Sequence, residues 1–389
     1  MFAPYACNPL NSKGRLVPEI KDPYRSDFHR DRDRIINSAS FRRLAYKTQV
    51  FVNHEGDHYR TRLTHSLEVS QIARTMSRQL KLCEELAESI ALAHDLGHAP
   101  FGHAGEDALN EVMQNYGGFD HNAQTLKILT SLEHRYAKFD GLNLTWETLE
   151  GVVKHNGPID TATTATNKKI KKMPIYIKEF NEIFPLELDK YPSLEAQIAA
   201  ISDDITYNNH DIEDAIRAGI LKIEDIMEIR KIYSTIKKVE KENGYLPEQR
   251  LIHEVTRVLI KDMLSDVLKA TRSKIHDLSI KNIEDVYNAK TMIVDFSEEY
   301  SSLNYEIKFM LRGKVYNHYK VNCMTNKARR IVKELFNFFF HDPSCLPTDW
   351  QKLIYSDMTP TDKARIVCNF VAGMTDRFAI NEYKSFYNL

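Results

Sequence analysis

Apolar residues recur along this chain at the three- and four-residue spacing that lines one face of a helix. Leu63, Leu67, Ile72, Ala73, Met76 and Leu80 form one stripe, and Leu86, Ile90, Ala93 and Leu96 form another. Residues 194–221, 224–242 and 249–270 carry the same periodicity, while β-branched alternation is scarce. The pattern predicts a mainly α fold, with one short strand pair near residues 290–297. The first forty residues are polar and rich in Arg and Asp, and read as an N-terminal arm (1–40) over the surface or at a subunit contact. A multi-helix core is expected over 41–271. A helical C-terminal region (272–389) should complete a pocket or oligomer contacts. The clearest interruption is Thr161–Lys172, inside a basic, low-complexity loop at 157–172. No internal repeat is evident.

Composition narrows the class without fixing it. A chain of 389 residues, 42% hydrophobic, can bury a large core in one domain or two interlocked ones. Lys+Arg 53 against Asp+Glu 54 gives a formal net charge of -1, which argues against a globally basic nucleic-acid binder but leaves room for a local basic patch. The five cysteines include no C-x-x-C pair, a usage that fits free thiols in a reducing compartment. The opening Met1–Tyr5 lacks the features of a signal peptide, and no uncharged run reaches membrane-span length. The expectation is a cytoplasmic protein with no membrane partner.

Candidate chemistry concentrates in Ala91–Glu106, where His94, Asp95, His98, His103 and Glu106 fall together as an apolar helix meets a Gly/Pro-interrupted segment. Imidazole and carboxylate bind borderline divalent metals and handle protons near neutral pH. Upstream, His65 and Glu68 share a helix face, with Arg62 one turn before. Downstream, Asp203, Tyr207 and Asp211 fall at i, i+4 and i+8, a row along one helix. Helices bearing His65, His94-Asp95 and Asp203 could converge on one cation. Such mixed N/O ligation suits Mn, Fe, Co, Ni or Zn rather than calcium, with magnesium reserved for substrate phosphates.

The order His65 … His94-Asp95 … Asp203 resembles the H…HD…D signature of the HD superfamily of metal-dependent phosphohydrolases. Phe41–Phe51, Arg60–Ser66, His94–Glu106, Lys154–Gly157 and Met374–Arg377 are together similar to its dGTPase-like branch, the deoxynucleoside triphosphate triphosphohydrolases. The resemblance runs from about residue 25 to 385. It implies hydrolysis of a dNTP to deoxynucleoside and intact triphosphate. By motif position it implies metal ligation by His65, His94, Asp95 and Asp203, and catalytic roles for His103, Glu106 and His121. Gln49 would meet the sugar 3′-hydroxyl, while Arg62, Tyr207 and Asp211 would line triphosphate and sugar. His98, Lys308 and Tyr316 join the substrate-binding set. Relatives of this branch imply a homo-oligomer, a dimer or larger.

Plainer readings stand beside these. His121 also fits a helix N-terminus, Tyr316 a core aromatic, Glu68 a surface contact and Asp204 a solvated neighbour of the proposed ligand. His155-Asn156-Gly157 reads as a turn, and Asp376 and Arg377 could simply pair with each other. The lysines at 168–172 fit a solvated loop, or a contact to single-stranded nucleic acid or an effector nucleotide. Among functions, a deoxynucleoside monophosphatase, a phosphodiesterase or a non-hydrolysing nucleotide-binding HD protein are the alternatives, separable by product.

Overall fold

Several helices in this chain begin where a side chain satisfies the free backbone N–H groups of the first turn. The computed structural model describes residues 2–49, 60–159 and 173–387. In it, α1 (Asp27–Ile36) begins with Ser26 accepting from His29 N–H. Next, α2 (Arg62–Leu80) opens on a reciprocal Thr61/Thr64 capping box and stops where Lys81 adopts φ 57°. α3 (Glu84–Ala93) follows directly, then α4 (His103–Val112). α5 (His121–Lys127), α6 (Trp146–Val153) and the long α7 (Leu194–Arg217) are capped by Asp120, Thr145 and Ser193. The C-terminal part contains α8 (Glu248–Asp277), α9 (Glu298–Met310), α10 (Tyr319–His341), α11 (Pro360–Ala372) and α12 (Asp376–Tyr387).

The second apolar stripe behaves as its spacing predicts. Leu86, Ile90, Ala93 and Leu96 are all buried, which makes α3 the central rod packed by α1, α2, α6 and α7. The first stripe holds only in its C-terminal half: Ala73, Met76 and Leu80 are buried, but Leu67 is 45% exposed. The first turns of α2 instead bury Arg62, His65, Ser66, Val69 and Ser70, because that half faces polar chemistry rather than core. A separate apolar cluster joins Ala99, Phe101 and Leu109 to Phe336 and Phe339 of α10 and Val367 of α11. Burial of each such large side chain contributes about 1.5–3 kcal/mol. That cluster holds the C-terminal helices against α4 and the loop before it.

Two expectations are corrected. No strand pair forms at 290–297; the Ile293 and Val294 N–H groups both donate to Gln197 Oε1, at 2.8 and 3.0 Å. A buried amide supplies the acceptor that a partner strand would have provided. The segment expected to lie over the surface includes α1, whose Phe28 and Ile35 are fully buried against the core. Its many charges mask a two-residue apolar face too sparse to register as periodic. No helix among the described residues is long and apolar enough to cross a membrane.

Glu195, in the first turn of α7, ties three segments together. Its Oε1 accepts from Cys7 N–H and from Cys83 N–H, both at 3.0 Å. Burial pushes its carboxyl pKa up to about 7, against the opposing pull of those N–H groups. An acid raised in the folded state loses its proton first in the unfolded chain, so its contribution falls as pH rises from about 4.5 to about 7. Between pH 5 and pH 8, denaturant titration of the wild type should therefore show roughly 2–3 kcal/mol more loss of stability than Glu195→Gln.

Candidate functional site

Three segments distant in sequence bring their polar side chains to one place. The α2 first turn presents His65, and the α3 C-terminus presents His94 and Asp95. The middle of α7 presents Asp203. Asp203 Oδ1 lies 2.9 Å from His65 Nε2 and 3.6 Å from His94 Nε2. His65, His94 and Asp95 each offer a donor atom, all within 4.8 Å of one another. His94 Nδ1 donates to the Ala91 carbonyl at 2.6 Å, which leaves Nε2 as the free lone pair. That Nε2 is buried without a hydrogen-bond partner among the described residues and sits 3.4 Å from Asp95 Oδ1.

This arrangement demands positive charge. Burial opposes protonation of His94, but Asp95 and Asp203 outweigh it and lift its pKa to about 9. Burial likewise raises both carboxyls, yet neighbours overcome it. Arg62, His94 and His98 hold Asp95 well below the usual range; His94, His155 and His65 do the same for Asp203. A divalent cation meets the same demand, and two imidazoles with two ionised carboxylates fit one chemically. Arg62 is itself buried, and its Nη1 donates to Asp95 Oδ2 at 2.8 Å.

A second group adjoins the first. Glu106 Oε1 lies 2.8 Å from His121 Nδ1, and Oε2 lies 3.3 Å from His103 Nδ1. Burial raises the Glu106 pKa, but hydrogen bonds to His103 and His121 drive it far down. In return Glu106 raises His121 above its ordinary value despite burial. His98 links the two groups. Its Nε2 sits 3.1 Å from Asp95 Oδ1, and its ring stacks on His121 at 4.3 Å. Burial, Arg62 and His121 keep it neutral. His103 is the exposed member, its side chain 65% accessible.

The third group lies further along α7. Tyr316, just after α9, donates to Asp211 Oδ2. Burial pushes Asp211 up to about 8, and burial with Asp211 raises both Tyr207 and Tyr316. Tyr207 meets the His65 ring edge-on at 6.4 Å. Gln49 is buried, its Oε1 without a partner among the described residues. Lys308 sits at the rim, paired with Asp204 at 2.9 Å and 46% exposed.

The placement of several other predicted residues is as follows. Asp203 faces the imidazoles while Asp204 faces Lys308. Glu68, its side chain 40% exposed, lies 3.0 Å from His210 Nε2 and 3.6 Å from Arg60 Nε. His155 does more than turn the chain. It stacks on His94 at 5.4 Å, and its Nε2 lies 3.6 Å from Asp203 Oδ2, a role that the turn-like H-N-G composition concealed. Lys154 beside it is fully buried and pairs with Glu150 at 2.7 Å. Val50, Phe51 and the lysines at 168–172 lie outside the described residues.

Comparison with known proteins accords with this architecture. The HD domain family matches residues 62–208, and the phosphohydrolase-associated domain matches residues 294–385. The class defined by fold and site is thus that of an HD-domain protein with an associated C-terminal helical domain. A Parvibaculum lavamentivorans deoxyguanosinetriphosphate triphosphohydrolase-like protein is 50% identical over 387 residues, covering 100% of this chain and 96% of the relative. Proteins of the same description from Rickettsia felis and Rickettsia prowazekii are each 50% identical, covering 100% and 98% of this chain and 99% and 97% of the relatives. The chain belongs to the deoxyguanosinetriphosphate triphosphohydrolase-like family.

Gly97 sets the spacing between the first two groups. A Cβ there would stand 2.1 Å from the His121 carbonyl oxygen and 2.3 Å from Thr125 N, both backbone atoms. Gly97→Ala should lower stability by about 1–3 kcal/mol or more in denaturant titration, since α5 must move away. Gly313→Ala is the control, for nothing among the described residues lies within 4 Å of its added methyl.

Proposed function

We propose that this chain hydrolyses a deoxynucleoside triphosphate at the α-phosphate, releasing the deoxynucleoside and inorganic triphosphate. The observation that carries the reading is the Glu106–His121 pair, linked through stacked His98 to Asp95 of the His/Asp cluster. In the reaction a water oxygen bonds to the α-phosphorus, the bond from phosphorus to the sugar 5′-oxygen breaks, and that oxygen takes a proton. An alkoxide is a poor leaving group, so a positioned acid accelerates its departure. His121 suits this proton transfer, since Glu106 holds Nδ1 and keeps the ring charged, which frees Nε2–H to donate.

His65, His94, Asp95 and Asp203 would hold one transition-metal ion of the Mn, Fe, Co, Ni or Zn kind. Bound there, such an ion supplies Lewis-acid stabilisation of charge on phosphate oxygens. The protein's own residues do the rest. Arg62 brings a guanidinium to the anionic tail, and His98 offers a neutral imidazole beside it. Tyr207, Tyr316 and Asp211 form an uncharged hydrogen-bonding wall for the sugar, and packing of a tyrosine ring there leaves no room for a 2′-hydroxyl. Gln49 would read the 3′-hydroxyl through Oε1, which has no partner among the described residues, with Lys308 at the entrance.

A metal-dependent assay across four dNTPs and four NTPs should yield triphosphate from deoxynucleotides alone. Orthophosphate or a monophosphate as product would reassign the chain to another phosphohydrolase reaction. Asp95→Ala should lose both metal, measured by elemental analysis, and turnover. His121→Ala should keep its metal and lose about 10²–10⁴-fold in kcat. For an acid in this role, Glu106→Gln should move the alkaline limb of the kcat–pH profile to lower pH, because it removes the charge that raises His121. An unmoved limb would reject that assignment.

A further inference from the structure

Asp376 opens α12 with its carboxylate turned inward, only 4% exposed. It does not pair with Arg377. Its two oxygens accept backbone N–H groups from two loops remote in sequence: Oδ2 from Thr48 at 2.9 Å, and Oδ1 from Phe101 at 2.8 Å. Thr48 immediately precedes Gln49. Phe101 lies between His98 and His103, where it and Gly102 both hold positive φ, 65° and 58°. A phenylalanine in that region costs of order 1–3 kcal/mol and persists only when its surroundings enforce it.

A second tie runs parallel to the first. Lys47 is 2% exposed, and its Nζ donates to the His98 carbonyl at 2.6 Å and the Ala372 carbonyl at 2.9 Å. The Gln49 segment and the His98–His103 loop are therefore fastened to each other and to the α11–α12 junction. Only a carboxylate meets the geometry at 376, since two N–H donors need two acceptor oxygens. An asparagine would turn an NH2 group toward one of them.

We propose that Asp376, seconded by Lys47, is a positioning residue that sets the distance between the sugar-reading and proton-donating ends of the site. It touches neither substrate nor metal ligands. Through it the C-terminal region takes part in turnover rather than only covering the core. The inference rests on the function proposed above, and small misplacements of reacting groups are costly there.

The test compares full-length wild type, Asp376→Asn and Lys47→Met. Expected for both variants is a fall in kcat of about 10- to 100-fold with bound metal and helical content retained. Deuterium exchange should also speed up at the Thr48 and Phe101 amides in Asp376→Asn. A folded variant with faster exchange but wild-type kcat would overturn the positioning role, as would a fall in kcat that merely tracks lost metal. If Asp376→Asn does not fold, Lys47→Met decides on the same kcat and metal criteria. If the wild type releases no triphosphate from any dNTP, the proposed function fails by itself. Exchange still judges the clasp in that case: unchanged protection in Asp376→Asn overturns it, and lost protection supports it.

Discussion

Asp203 lies within 2.9 Å of one imidazole nitrogen and 3.6 Å of two others, and much of the fold serves that convergence. Buried carboxylates facing buried lone pairs are unstable without positive charge between or on them. The surrounding structure supplies it from several directions. Arg62 neutralises Asp95 from the side, and the Ala91 carbonyl fixes the His94 tautomer. His155 closes the far side of Asp203. The cost is visible in α2, whose opening turns give their buried face to Arg62 and His65 instead of leucine. Apolar burial is supplied elsewhere, notably by Leu86, Ala87, Ile90, Ala91, Leu92 and Ala93 of α3.

Close backbone approach is the second constraint. The segment from Gly97 to Gly105 must leave α3, pass α5 and start α4 within a few residues. Gly97 lies against the His121 carbonyl, and Gly105 against the Pro100 carbonyl, where a Cβ would stand at 1.9 Å. Gly102 lets the Arg62 guanidinium come within 2.7 Å of where a Cβ would be. These glycines allow the imidazoles of His98 and His121 to stack while Arg62 still reaches Asp95. The site is compact because its loop has few side chains to accommodate.

Much of this was legible in the sequence, and for local reasons. His94, Asp95, His98, His103 and Glu106 stand close enough along the chain that one helix end and one short loop bring them together. The Asp203–Tyr207–Asp211 row follows from helical geometry alone. Long-range partners were not legible. Nothing near Asp376 announces that its acceptors serve residues 48 and 101, and the adjacent Arg377 offered a simpler local pairing. His155 sat in a turn-like tripeptide whose ring direction depends on the packing of α6 and α7. The stretch at 290–297 looked extended, and only a distant Gln197 explains why it needs no partner strand.

The three side-chain groups also differ in charge, and the order in which they occur has a chemical consequence. The His/Asp cluster and Arg62 make a strongly polar end where ionised groups are held ionised. The Glu106–His121 pair is a carboxylate beside an imidazole whose charged form it favours, separated from that end by a neutral His98. The Tyr207–Tyr316–Asp211 group is different in kind, because burial there favours the protonated form of every member. A ligand satisfying all three at once needs an anionic portion, a bond whose cleavage calls for a proton, and an uncharged polyol portion. Under the proposed function, those demands suit a phosphorylated sugar more than a peptide, a lipid or an inorganic ion. The edge-on contact of Tyr207 with His65 puts the uncharged wall directly beside the cluster. On the function proposed above, the sugar would then lie next to the phosphate nearest it, with the reaction at the innermost phosphorus.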